Sequence, residues 1–358
     1  MHYIWKGVQS TMELARFERI LGELPRRKIL VLGDYFLDRY LEIDPSLDEP
    51  SLETGLTAYQ VVGMRLSPGA AGTVANNLVA LGVGQVIALG IGGEDGHGLE
   101  LRQAMAERKI DASRMLWDQS RVTPTYTKPM RQEYGQAREL NRLDFHNRTS
   151  LPLHLEEEII GRLWELAEEV DGIHVMDQVE GEGCGTVTPR VREELVAIAE
   201  EYPQRPILAD SRANIQRFRA ISIKINVLEA AAATGMQVDE LDEQVAAQAG
   251  TILAKRLCHP VYVTMAQKGV LVVDMEAKTT HIPAVPIAGP IDPVGAGDSV
   301  SAAIISALSA GAGPVEAAIL GNVTASITIQ QLGTTGTASP GEILRCLADW
   351  QFSLRMLS

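Results

Sequence analysis

The feature that most constrains the fold is a repeated switch between two hydrophobic periods. Short apolar runs at residues 28–32, 86–89, 173–176, 206–209, 223–227, 261–264 and 270–273 read as strands. Stretches with helical spacing at 72–81, 99–108, 189–201 and 238–257 lie between them. Strands buried on both faces read as continuous apolar runs, and parallel neighbours need a crossover, usually helical. The alternation therefore predicts an α/β fold with a mostly parallel central sheet covered on both faces. Residues 11–24 precede the first strand and set Leu14, Phe17, Ile20, Leu21 and Leu24 on one helical face. Residues 1–27 are thus expected to form a helical extension that serves packing or dimer formation.

Two long segments, 39–66 and 122–145, interrupt the alternation with apolar residues separated by polar ones. They are expected to be antiparallel excursions that form a small β-sheet lid over a pocket, a common use of long connections. Neither an interdomain linker nor a repeat is visible, so 28–350 is expected to be one domain carrying both insertions.

Hydrophobic residues make up 46% of the 358, enough for a sizeable core, and the formal net charge is −14. That charge argues against a nucleic-acid binder, which needs a basic face, but leaves room for a local basic pocket. Cys184, Cys258 and Cys346 are dispersed and match no metal spacing. The first thirty residues lack a signal-peptide apolar core and no apolar run reaches spanning length, so a cytoplasmic protein without membrane contact is expected.

The segment Asp292-Pro293-Val294-Gly295-Ala296-Gly297-Asp298 precedes a nearly charge-free run, 299–312, that reads as a buried helix. A glycine turn opening a helix offers free N–H groups and the positive end of the helix dipole to an anion. An acid there would repel a bound phosphate, but it suits a base acting on a phosphoryl group in transfer. The helix end is expected to favour its ionised form. Lys224-Ile225-Asn226-Val227-Leu228-Glu229 lies at the carboxyl end of a strand, where open α/β sheets bind ligands. Asn226 and Glu229 could hold the hydration shell of Mg²⁺, or simply cap a helix. Gly33-Asp34…Asp38 places two acids at the end of the first strand, suited to sugar hydroxyls or to loop capping. Small residues from Ser67 to Asn77 would let a ligand approach a helix start closely. The segment from Gly90 to Gly96 departs from the dinucleotide-binding pattern because Asp95 stands where pyrophosphate must approach.

Taken together, these motifs resemble the ribokinase/PfkB family of carbohydrate kinases, over about residues 28–347. The nearest resemblance is to heptose 7-phosphate kinase domains, through Gly33-Asp34…Asp38, Pro68…Asn77, Thr127-Lys128…Arg131, Arg142-Leu143-Asp144 and Gln331-Leu332-Gly333-Thr334. The resemblance implies a ribokinase-like three-layer sandwich with a β-sheet lid, and ATP-dependent phosphorylation of a sugar hydroxyl. It implies Asp298 as catalytic base, Gly295, Ala296 and Gly297 as anion hole, and Asn226 and Glu229 as the Mg²⁺ and phosphate motif. Thr264, Lys268, Gly269 and Asn322 fall at the nucleotide pocket. Asp34, Asp38, Gly69, Thr73 and Asn77 fall at the sugar. Asp292 falls where some members hold a monovalent cation such as K⁺. Lys128, Arg131, Arg142 and Arg212 are candidates for binding a sugar phosphate, or are solvated surface charges. Lid pairing in the family implies a homodimer.

Three positions depart from the pattern: Ala70 and Ala266 replace glycines, and Thr73 replaces an asparagine. They leave the acceptor open. A sugar- or nucleotide-binding pseudokinase, and a kinase for a nucleoside or other small alcohol, are the alternatives.

Overall fold

The computed structural model describes residues 13–133, 135–237 and 242–356. Residues 11–12 and 238–241 of the expected helices lie outside the described residues. An eight-stranded sheet runs in the order Thr279–Ile282, Val270–Val273, Val261–Thr264, Ser222–Asn226, Ile207–Ser211, Gly172–Asp177, Lys28–Gly33, Gln85–Leu89. Every neighbouring pair from Val261–Thr264 onward is parallel. The first two strands add antiparallel at the edge. The edge strand Thr279–Ile282 is absent from the sequence reading because only Ile282 is buried and the remainder is polar.

The two-residue period of each strand divides the core. Ile29 and Val31 pack into one apolar cluster, with the helices Leu14–Glu23, Ala71–Ala80, Gly96–Glu107, Ala296–Ser309, Pro314–Thr328 and Pro340–Met356. Leu30 and Leu32 pack into the other, with Leu153–Glu169, Pro189–Glu201, Val227–Thr234 and Glu243–Leu257. The result is three layers. The helices Leu153–Glu169 and Pro340–Met356 add to those expected, and Val227–Thr234 realises the helix-cap reading of Asn226 and Glu229. Val227, expected as the last residue of a strand, instead begins a helix, because Asn226 caps it. The N-terminal helix buries Phe17, Ile20 and Leu21. Its Arg16 is paired at 2.8 Å with Glu316.

A second, five-stranded sheet contains Tyr35–Ile43, Val61–Ala70, Thr125–Glu133, Gln136–Glu139 and Leu143–Phe145. The expectation of purely antiparallel excursions is corrected. Tyr35–Ile43 pairs antiparallel with Val61–Ala70 but parallel with Thr125–Glu133. The chain reaches Thr125 only after the helices Ala71–Ala80 and Gly96–Glu107, and that long crossover brings it back in the same direction. The sheet also begins earlier than expected, at Tyr35, so Asp38 belongs to it.

Candidate active site

The parallel strands open their carboxyl ends along one edge, which carries Asp34, Asp177, Asp210, Asn226 and Thr264. The helix Ala296–Ser309 begins at this edge. Its cap, Gly295, has φ +79°, a left-handed conformation that glycine adopts without steric cost. A Cβ there would lie 3.1 Å from Thr335 Cγ2 and 3.6 Å from Thr73 Cγ2, so the turn sits tightly between the start of Ala71–Ala80 and the segment after Gly333. Of the three amides expected to bind an anion, that of Ala296 already donates to Pro293 O at 3.1 Å.

Asp298 lies in the first turn of this helix, partly accessible from the cleft. Its carboxyl is pushed up to about 7, first by desolvation, then by the charges of Asp210 and Asp38, with Lys224 opposing. The expected preference for the ionised form is thus corrected: the loss of water outweighs the helix dipole. Lys224 Nζ is bonded to Asp210 Oδ2 and would sit 3.0 Å from a Cβ on Gly297. Burial works against the Lys224 ammonium, but its pairing with Asp210 holds its pKa above the ordinary lysine value. Ser301 Oγ donates to the same Asp210 oxygen at 3.2 Å.

Sequence reasoning gave Lys224 and Asp210 no role, although signals were present. Ile223 and Ile225 belong to the far cluster, so alternation turns Lys224 toward the helix Ala296–Ser309. Asp210 is the acid that ends the apolar run Ile207-Leu208-Ala209 at the ligand edge.

Asn226 and Glu229 form a reciprocal capping box. Asn226 Oδ1 accepts from Glu229 N at 2.9 Å, and Glu229 Oε2 accepts from Asn226 N at 3.0 Å. Burial pushes the Glu229 carboxyl up, against the Asn226 N–H bond. Among the described residues no group of three or more His, Cys, Asp or Glu could hold a metal directly. The residues present suit a Mg²⁺ that keeps waters and binds phosphate, with Glu229 as the nearby carboxylate.

Thr264 is paired in register with Asn226. Lys268 closes the turn Ala266–Lys268, and Gly269 follows where a Cβ would meet Ile282 O at 2.1 Å. Asn322 Nδ2 donates to Pro283 O at 2.6 Å, fixing the strand that leads back toward this turn.

On the second sheet, Asp38 Oδ1 pairs with Lys128 Nζ at 2.7 Å, and Lys128 also donates to Tyr40 Oη at 3.2 Å. Gly69 lies beside Asp38, where a Cβ would come within 2.7 Å of its Oδ2. The charge of Asp38 reaches Asp298, so the second sheet and the start of the helix Ala296–Ser309 face one cleft.

Several candidates leave the site. Asp34 is buried, and its oxygens accept from the backbone N–H groups of Gln178, Val179 and Thr186 at 2.7–3.0 Å. It anchors a loop and offers no open face to a sugar. Asn77 is wholly buried and donates to Thr73 O at 3.0 Å, because it points back along its own helix. Asp292 accepts from Val294 N and Gly333 N at 3.1 and 3.0 Å, tying two loops together. The expected basic cluster also separates. Lys128 neutralises Asp38, and Arg131 pairs with Asp48 at 2.5 Å. Arg212 pairs with Glu180 at 3.2 Å, and Arg142 bonds both oxygens of Asp144 at 2.7 Å while stacking 4.0 Å above the Tyr126 ring.

A family model for pfkB family carbohydrate kinases matches residues 39–340. The chain belongs to this family. By that family it is a sugar kinase. It is 30% identical over 336 residues to the bifunctional protein HldE of Geobacter metallireducens, covering 93% of this chain and 65% of that protein. The HldE of Geotalea uraniireducens is 29% identical over 334 residues, with the same two coverages. The kinase thus spans about two thirds of the length of these relatives. Among solved structures, an Arabidopsis thaliana ribokinase complexed with ribose and ATP superposes with a TM-score of 0.66 at 17% identity, covering 90% of this chain and 98% of that one. Escherichia coli phosphofructokinase-2 in complex with potassium gives 0.68 at 16%, covering 90% and 99%. These likenesses establish a ribokinase-like fold for the kinase. Among its described residues no helix is long and apolar enough to cross a membrane.

Proposed function

We propose that this kinase transfers the γ-phosphoryl group of ATP, with Mg²⁺, to a hydroxyl of a sugar or sugar phosphate, with heptose 7-phosphate as the first acceptor to test. The observation that carries the reading is the meeting of Asp298, at a glycine-opened helix start and within the field of the buried Lys224, with Asp38, paired with Lys128, across the cleft. Asp38 is placed to accept from acceptor hydroxyls while Lys128 orients it. Asp298 accepts the proton of the attacking hydroxyl at its carboxylate. The helix N-terminus and Lys224 oppose the negative charge of the transferring group. Bound Mg²⁺ would supply further charge neutralisation near Glu229. Phosphoryl transfer requires positioning and charge stabilisation more than a strong base, so a carboxylate suffices.

An ADP-release assay across heptose 7-phosphates, unphosphorylated sugars and nucleosides tests this. Stimulation by a sugar or a sugar phosphate is expected. Stimulation by nucleosides alone would reject the sugar reading, and ligand binding without turnover would make the chain a pseudokinase. The second sheet also exposes Val61, Val62 and Met64, each about half accessible or more. We infer that it pairs with a second copy as a homodimer. A monomer-sized species in size-exclusion chromatography would count against this.

A further inference from the structure

The cleft face of the second sheet carries a ladder of one aromatic and two cations. Tyr40 is in register with Arg65 on one neighbouring strand and with Lys128 on the other. The Arg65 guanidinium carbon lies 4.0 Å from the Tyr40 ring centre, and Lys128 Nζ lies 4.7 Å from it. Lys128 is neutralised by Asp38. Arg65 has no carboxylate within ion-pair distance among the described residues. The other arginines of this sheet do: Arg39 with Glu100, Arg131 with Asp48, and Arg138 with Glu133. The hydrogen bond made by Arg65 goes to Gly333 O at 3.4 Å, long for an N–H donor.

Gly333 places that guanidinium. Its N–H is held by Asp292, the residue that opens the glycine turn. Two residues on, Thr335 packs against Gly295 at the start of the catalytic helix. Arg65 thus reaches from the roof of the cleft to the loop flanking the helix N-terminus. Its charge is uncompensated, and most of its five donors are uncommitted.

We propose that Arg65 is a phosphoryl-binding residue that engages the terminal phosphoryl group of the nucleotide from the roof while the Gly295–Gly297 turn holds it from the floor. A planar guanidinium fork matches two oxygens of a phosphoryl group, and the Tyr40 ring keeps it aimed without neutralising it. This rests on the kinase reading above.

The test is calorimetric titration of the intact chain with Mg·AMP-PNP and with Mg·ADP, in the wild type, Arg65→Gln and Arg65→Lys. Arg65→Gln is expected to weaken AMP-PNP binding about tenfold, the effect of losing one charge-assisted hydrogen-bonded contact, and to leave ADP binding unchanged. Arg65→Lys is expected to fall between. Equal weakening of both nucleotides would indicate a merely structural role, and no weakening would show that Arg65 does not reach the group. Either result overturns the proposal and leaves the kinase reading intact. Failure of the wild type to bind either nucleotide would overturn both.

Discussion

The floor and the roof of the cleft are built on opposite principles. The floor comes from two short contiguous segments, 292–298 and 224–229, fixed by a rigid sheet edge and two helix starts. Its chemistry is set by backbone geometry, and desolvation pushes the pKa of its central acid up to about 7. The roof is assembled from strands far apart in sequence, and most of its charges are matched in pairs: Asp38 with Lys128, Asp48 with Arg131, Asp144 with Arg142. A matched roof recognises by shape and directed hydrogen bonds. The floor holds one buried pair, Lys224 with Asp210, beside an acid, Asp298, that has no ion-pair partner among the described residues, and it supplies the driving field. Arg65 is the exception on the roof, and it is the residue that touches the loop beside the floor.

The largest effect should follow from removing the acid of the floor. Asp298→Asn is expected to lower kcat by at least about 10²-fold, a typical general-base contribution, while nucleotide binding persists. In the wild type, kcat/KM should fall on an acidic limb near pH 7, tracking the protonation of Asp298 in the free enzyme. Stability should move the other way. The folded carboxyl lies near 7, above its unfolded value of 3.8, so its ionisation is not a burden below about pH 4. The destabilisation grows from there to pH 7 and is complete above it. Asp298→Asn should therefore melt higher than the wild type at pH 8 and show less advantage at pH 4. A mutant with near-normal turnover, or one that is less stable at pH 8, would break the contrast between floor and roof.

A smaller effect is expected from unbalancing the roof. Lys128→Met leaves Asp38 without its partner in a largely buried setting. Acceptor KM should rise about tenfold with kcat less affected, as when a ground-state contact is lost. Stability should fall by about 3 kcal/mol, as for breaking a buried pair from one side. The double variant with Asp38→Asn should recover part of that loss, because the two residues are in contact. Additive melting shifts would show that the pair is not a unit.

This division also explains what could be read from the chain. The parallel sheet was legible because strands buried on both faces are written as continuous apolar runs. The glycine turn before Asp298 was legible because its geometry depends on adjacent residues. Asp34 misled, because an acid at a strand end looks the same whether it faces a sugar or three backbone N–H groups of a loop some 150 residues away. The pairing of Asp38 with Lys128 was not legible either, since it depends on a parallel register across a long crossover. The start of the helix Val227–Thr234 was legible only as one of two readings, because its capping box was also a plausible ligand motif.

The smallest effect concerns two alanines that stand where the family pattern has glycine. Ala266, beside the nucleotide end of the floor, has φ +48°, and Ala70, at the foot of the roof, has φ +51° with ψ −114°. An L-residue in the left-handed region is disfavoured by about 1–2 kcal/mol, because Cβ crowds the neighbouring carbonyl. Glycine relieves that strain but restores freedom to the unfolded chain, returning about 0.4–1 kcal/mol. Ala266→Gly should therefore stabilise the protein by roughly 0.5–1 kcal/mol, a rise in Tm of about 1–3 °C for a chain of this size. Ala70→Gly should do at least as well, since its ψ lies farther from the left-handed minimum. The two should differ in function. Ala70 follows Gly69, which lies against Asp38, so trimming its methyl should change acceptor KM. Ala266→Gly should leave acceptor KM alone. Two melting curves and two acceptor titrations decide the matter. A drop in Tm for either variant would show that the alanine makes contacts worth more than its strain, and equal acceptor KM values in both would detach Ala70 from the roof.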